Sequence, residues 1–180
     1  MPRSYPPLSN PLDSLDAPRP PNVTPGLTQA WGEWIAHQGP WHVFGALTYD
    51  QRRRPLDDQG YRVMPAELTT RQHVRRWLQN VSSVTHGRLE AAVVALEYQK
   101  NGWPHFHPLI RLSGDLQGRE FEQLGQAWYR KHGYAQLAEP RSQTDVAEYA
   151  AKYLVKDLAR GDVLFWPLRG PWPDRQAQLL

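Results

Sequence analysis

Two histidines flank one phenylalanine in Pro104-His105-Phe106-His107. On an extended segment alternate residues share a face, so both imidazoles can address one metal ion. Further along, Tyr149-Ala150-Ala151-Lys152-Tyr153-Leu154-Val155-Lys156 sets two tyrosines at i and i+4, each with a lysine three residues on. A bound cation offsets charge that develops on a phosphate, and a phenol oxygen can attack phosphorus. Together the two groups suggest phosphodiester chemistry through a phosphotyrosine intermediate.

That chemistry needs strands to hold the histidines. Residues 89–99 and 103–112 read as two paired strands, and side-chain parity tests their register. A two-residue Asn101-Gly102 turn would pair Glu97 with Phe106 and aim the carboxylate away from both histidines. A three-residue Lys100-Asn101-Gly102 loop pairs Glu97 with His105 instead, and its left-handed third position suits Gly102. The second register gathers Glu97, His105 and His107 on one face and turns Phe106, Pro108 and Ile110 to the other. Two neutral imidazoles and one carboxylate leave coordination positions open, as a hard ion such as Mg²⁺ or Mn²⁺ requires to take phosphate oxygens.

It also needs a helix to present the phenols. On a helical wheel Ala147, Ala151, Leu154 and Leu158 fall on one face, and Tyr149, Lys152, Tyr153 and Lys156 on the opposite one. With the aliphatic face packed, the phenols are left to meet a ligand. A phenol with a pKa of about 10 is protonated at neutral pH. Lys152 or Lys156 can favour the phenolate or hold the phosphate.

The other segments frame these groups. Residues 1–26 are crowded with prolines and poor in large aliphatics, which predicts an irregular arm unable to build a core. Residues 27–37 suggest a short helix, with Thr28 as N-cap and Trp31, Trp34 and Ile35 as its apolar stripe. Residues 41–49 read as a strand. Thr69-Thr70-Arg71-Gln72 has the form of a capping box before Val74, Trp77, Leu78 and Val81, an i, i+3, i+4, i+7 stripe. A second helix is expected from Asp115, with Phe121, Leu124 and Trp128 on one face and an end at Lys131-His132-Gly133. Residues 134–138 suggest a short strand, and Asp145 with Glu148 suggests a cap for the tyrosine helix. After Arg160 the chain carries Trp166, Trp172 and prolines, as an extended tail would. The expected division is an arm (1–26), a domain (27–160) and a tail (161–180). The element order predicts an α+β fold: an antiparallel sheet with packed helices, of the ferredoxin-like split βαβ type.

Composition narrows the class. The 180 residues carry a formal charge of +3 and no cysteine, which excludes a disulfide framework and a cysteine-ligated zinc site. The basic balance, with a pI near 9.3, fits a polyanionic partner. No apolar run reaches membrane-spanning length. The proline-rich N-terminus is unlike a signal peptide, so a soluble cytoplasmic protein without a membrane partner is expected. No phosphate-binding Gly-x-x-x-x-Gly-Lys-Ser/Thr loop is present, so no attached helicase ATPase is expected.

Three stretches carry a family resemblance. Phe44-Gly-Ala-Leu47-Thr48-Tyr49-Asp50 is similar to a first motif that ends a strand in Leu-Thr. Glu97 to His107 looks like a metal motif, and Tyr149 to Lys156 like a two-tyrosine nucleophile motif. Taken in this order, over roughly residues 41 to 158, they resemble the HUH endonuclease superfamily. Specifically, they resemble rolling-circle replication initiators (Rep proteins) of phages and plasmids, with the two-tyrosine form similar to that of gene A initiators of isometric single-stranded DNA phages. The resemblance implies a central sheet bearing the histidines, with the tyrosine helix nearby. It implies a divalent metal held by Glu97, His105 and His107, with Tyr149 and Tyr153 as nucleophiles. It also implies site-specific nicking and joining of single-stranded DNA at a replication origin, in a phage- or plasmid-bearing prokaryotic cell, with a separately encoded helicase as partner. A second tyrosine one turn away could attack the next junction while the first still holds DNA.

Arg52, Arg53 and Arg54 after the first strand, and Arg71, Arg75 and Arg76 on the first full helix, are candidates for phosphate and base-edge contacts. Tyr49, Trp103 and the C-terminal tryptophans could stack on single-stranded bases, although at these spacings tryptophans are read as core. His37, His42, His73, His86 and His132 lack such partners and are read as surface or packing residues. Alternatives are a two-tyrosine transposase, a non-catalytic origin-binding protein, or a metal hydrolase that activates water. A relaxase fits less well, because there the tyrosine precedes the histidines.

Overall fold

The computed structural model describes residues 25–156 and 163–166. In chain order the elements are α1 (Pro25–Gln38), β1 (Val43–Tyr49), a single 3-10 turn (Gln51–Arg53), α2 (Glu67–Val84), β2 (Leu89–Tyr98), β3 (Pro104–Leu112), α3 (Glu120–Tyr129), β4 (Gly133–Ala138), α4 (Gln143–Lys156) and β5 (Val163–Trp166). The strands form one antiparallel sheet in the order β4-β1-β3-β2-β5. β3 is inserted between β1 and β2, which is the split βαβ arrangement expected of this α+β chain.

Strand alternation gives the sheet two buried faces. On one, Leu47, Val94, Leu96, Phe106 and Ile110 pack with Trp77 and Leu78 of α2 and with Leu124 and Trp128 of α3. The buried indoles are satisfied: Trp77 Nε1 donates to Leu124 O at 3.0 Å and Trp128 Nε1 to Thr48 O at 3.2 Å. On the other face, Phe44, Val93 and Leu109 meet Trp31 and Ile35 of α1 and Val146 of α4. β4 is drawn tightly against the end of β1. A Cβ on Gly133 would sit 2.1 Å from Asp50 N, and its φ of +152° is one that other residues rarely adopt.

Pro108 stands in the central strand, where a residue without an N–H is unusual. The β1–β3 ladder pairs Phe44 with Leu109 and Leu47 with Phe106 but skips the two pairs between, where Pro108 has no hydrogen to give. The gap lies beside His107.

Several helix starts differ from the sequence reading. α1 begins at Pro25, so Thr28 is inside the helix rather than its cap. α2 begins at Glu67 after Ala66, which makes no side-chain cap bond, so the Thr69–Gln72 capping box does not form. Thr70 instead donates to Glu67 O at 2.6 Å. α3 begins at Glu120, not Asp115. Its Glu120 carboxylate accepts from Gln117 N and pairs with Arg88, which fixes the start later in the chain. α4 begins at Gln143, and Ser142 Oγ accepts from Asp145 N at 3.1 Å, so the cap lies three residues before the expected Asp145.

The tail is also partly corrected. Val163–Trp166 is a fifth strand paired with β2, from Ala92↔Trp166 to Ala95↔Val163, rather than plain extended chain. Trp166 packs at the edge of the α2/α3-side core. The arm up to residue 24, Leu158, Trp172 and the tail beyond Trp166 lie outside the described residues, as do the side chains of Leu154 and Lys156.

Candidate active site

The β2–β3 connection is the three-residue loop. Gln99 N donates to Trp103 O at 2.9 Å, and Gly102 takes the left-handed φ of +82°. Glu97 therefore pairs with His105 and Ala95 with His107. Glu97, His105 and His107 share one face, and their ligating atoms all lie within 4.8 Å of one another. Glu97 Oε2 is 3.0 Å from His107 Nε2. One carboxylate and two imidazoles at this spacing fit a single divalent ion, because each group supplies a donor without having to cross the sheet.

Two further residues complete the surroundings of His105. Thr48 pairs with His105 across β1–β3, and its hydroxyl lies 2.8 Å from His105 Nδ1. The Gln99 amide nitrogen lies 3.4 Å from the same ring nitrogen. Both contacts meet the ring at Nδ1. This is how a second layer of groups orients a metal-binding histidine. The sequence reading quoted Thr48 in a motif but gave it no role, and passed over Gln99. Parity was the available signal for Gln99, two residues beyond Glu97 on the same face.

The tyrosines are not on an outward face. Tyr149 is 4% exposed and Tyr153 9%, and both point at the sheet. The expected split of α4 into an aliphatic packing face and a free phenol face is therefore overturned. Ala147 and Ala151 are buried as expected, with Gly32 of α1 close to the Ala151 methyl. Val146, Tyr149 and Tyr153 form a second buried stripe over β2 and β3. Two neighbours, α1 and the sheet, thus cover two sides of one helix. The change brings the phenols to the histidines. The Tyr153 ring stacks on His107 with centroids 3.6 Å apart, and Tyr149 meets the same imidazole edge-on at 6.1 Å. The two phenol rings are 4.7 Å apart. Burial, and then the neighbouring Tyr153 and Glu97, push the Tyr149 hydroxyl well above the ordinary phenol range. Lys152 is half-buried on the same helix.

The candidate DNA-contacting arginines lie at the end of β1 and on α2. Arg52 and Arg53 both pair with the buried Asp50, at 3.0 and 3.4 Å, and the hydrogen bonds from Arg52, with the charge of both guanidiniums, hold its carboxyl below the usual range. Arg54 Nε donates to Val63 O, Arg71 pairs with Glu67, and Arg75 is exposed. Tyr49 and Trp103 are buried, at 3% and 8% exposure, and cannot serve as open stacking surfaces. His73 and His132 pack as expected: their rings stack at 4.1 Å, with the Tyr49 hydroxyl 2.9 Å from His73 Nδ1, on the face opposite the metal cluster. His42 Nδ1 accepts from Leu112 N.

A family model for replication-associated protein ORF2/G2P matches residues 42–158, well over half of the chain. The chain belongs to that family. The matched span of this replication-associated protein runs from the threshold of β1 to just past α4. It therefore encloses β1 to β4, the Glu97-His105-His107 cluster and both tyrosines. No curated protein matches the chain. Among the described residues no helix is long and apolar enough to cross a membrane.

Proposed function

We propose that this replication-associated chain nicks and rejoins single-stranded DNA at a replication origin through a 5′-phosphotyrosine, and so initiates rolling-circle replication. The observation that carries the reading is the stack of Tyr153 on His107, beside Glu97 and His105. A group able to attack phosphorus lies against a group able to hold a metal. Family membership supplies the link to replication.

Glu97, His105 and His107 would hold the ion, and Mg²⁺ or Mn²⁺ suits a set that includes a carboxylate. When bound, the ion would polarise the scissile phosphate and offset the charge of the transition state. If Nε2 of His105 held the ion, its Nδ1 would carry the proton and donate to the Thr48 hydroxyl, which would fix the ring. One tyrosine oxygen then forms a bond to phosphorus as the bond to the 3′-oxygen breaks. The phenol proton leaves and the 3′-oxygen gains one. The released 3′-hydroxyl is a primer end. The phosphotyrosine keeps the bond energy, so rejoining needs no ATP. The second tyrosine, one helical turn away with its ring 4.7 Å from the first, would repeat the attack at a second junction. Lys152 and Lys156 would hold the phosphate or favour the phenolate. Arg52, Arg53, Arg54, Arg71 and Arg75 would grip the backbone. A separately encoded helicase would open the duplex.

The test is to trap the adduct. Incubation with single-stranded origin DNA and Mg²⁺ or Mn²⁺, then denaturing electrophoresis and mass spectrometry, should locate DNA on Tyr149 or Tyr153. Nicking without any protein–DNA adduct would refute the tyrosine mechanism, and full activity in excess chelator would refute the metal.

A further inference from the structure

Four residues lie in one row across the sheet. Glu97 pairs with His105, His105 with Thr48, and Thr48 with Tyr134 of β4. Directly opposed residues of an antiparallel sheet point to the same side, so Tyr134 stands on the face of the metal cluster. It is two strand spacings from His105, on the order of 10 Å. Over β3 and β2 this face is roofed by α4, but among the described residues the start of β4 is exposed on it. Tyr134 is 46% exposed, and Gln136, two residues on along the same face, is exposed as well.

Tyr134 is not isolated. Tyr129, at the end of α3, is 37% exposed, and the two ring centroids are 6.4 Å apart. Arg53 lies over the Tyr129 ring at 4.7 Å, and Arg52 donates to the Tyr134 hydroxyl. Arg130 and Lys131 are exposed between the two tyrosines in sequence. The carboxylate that pairs with Arg52 and Arg53, Asp50, is itself buried. The patch therefore joins two partly exposed aromatic rings to a surplus of positive charge. Asp50 anchors the two arginines, which reduces the entropy lost when they grip a ligand.

From this we infer that Tyr134 and Tyr129, framed by Arg52 and Arg53, form a stacking platform for single-stranded DNA. It takes the unpaired bases next to the phosphate held at Glu97, His105 and His107. Stacking accepts any base, whereas the arginines take the phosphates between. The platform reads no sequence. It fixes where the strand lies relative to the metal centre. This inference rests on the DNA-nicking reading above, since an aromatic and basic patch beside the cluster has this meaning only if the cluster acts on a polynucleotide.

The experiment measures binding alone, by fluorescence anisotropy of the full chain in chelator, with labelled dT and random-sequence single strands as probes. Tyr134→Ala should weaken binding roughly tenfold, and Tyr129→Ala by a similar or smaller factor. Tyr134→Phe should retain most of the affinity, because the ring remains and only the Arg52 contact is lost. A probe with abasic sites should bind the native chain more weakly than an intact probe, and the difference should shrink for Tyr134→Ala. Equal binding by the native chain and both alanine variants overturns the platform while leaving the nicking reading intact. A native chain that binds neither probe and forms no adduct overturns the nicking reading itself. Loss of self-association in Tyr134→Ala, with DNA binding unchanged, would assign the patch to a second copy of the chain and also overturns the inference.

Discussion

Phe106 and His107 are neighbours in β3 and end on opposite sides of the sheet. Phe106 is enclosed by Tyr49 and Trp128, with ring centroids at 6.0 and 5.7 Å. His107 lies against Tyr153 and Glu97. The α2/α3 face is filled by large apolar groups, which contribute stability in proportion to the area they bury. The α1/α4 face gives up part of that packing near the end of β3 and places ionisable groups there. Burying them is costly unless each has a partner. Here Glu97 meets His107, and His105 meets Thr48 and Gln99. Alternation lets one strand serve both purposes: one face holds the fold rigid, and the other keeps the Glu97-His105-His107 group and the tyrosines in place.

The comparison can be broken most sharply at the tyrosines. The double variant Tyr149→Phe, Tyr153→Phe should form no adduct and reduce nicking to background in an electrophoretic assay, with a melting temperature close to the native one. Residual full activity would remove the chemistry from this face. Next in size is the contrast within β3. Phe106→Ala should cost about 3–5 kcal/mol in urea unfolding, as large aromatic truncations in a core do. His107→Ala should cost well under half as much and yet abolish nicking. Equal stability losses would mean that the two faces do not divide the work.

Smaller effects sharpen the polar face. Glu97→Gln should raise the divalent-ion concentration for half-maximal nicking on the order of a hundredfold, and Thr48→Val about tenfold, the range expected when an outer hydrogen bond to a ligand is lost. Titration of nicking against Mn²⁺ would separate the two. The smallest effect tests the opposite face. Burial, with His73 and nearby cations, pushes His132 from 6.5 to about 4, and burial lowers His73 as well. The folded chain therefore keeps these rings neutral where the unfolded chain protonates them. Stability is full above pH 6.5 and falls as the pH drops towards 4. Because His132 is partly open to solvent, the loss is only about 1 kcal/mol. His132→Gln should flatten this slope in pH-dependent urea melts without changing the metal dependence of nicking.

Much of this molecule is set by local rules that the sequence carries. Strand alternation and the left-handed demand at Gly102 are enough to align Glu97 with His105, because both act over a few residues. The stripe of Val74, Trp77, Leu78 and Val81 likewise marks the buried side of α2, and the element order implies the antiparallel sheet. Other features depend on which segments meet. A helical wheel gives the faces of α4 but not its neighbours. Packing against both α1 and the sheet turned the phenols inward. The contact of Thr48 with His105 joins residues 57 apart in sequence, and the row reaching Tyr134 needs β4 beside β1. β5 acquires its strand pairing only from the edge of β2. The sequence alone therefore determined the grouping of Glu97, His105 and His107 on one face and its register, since backbone geometry repeats with a fixed period. Only the tertiary structure decided what stands over that set, because contacts between distant segments follow from how whole faces pack.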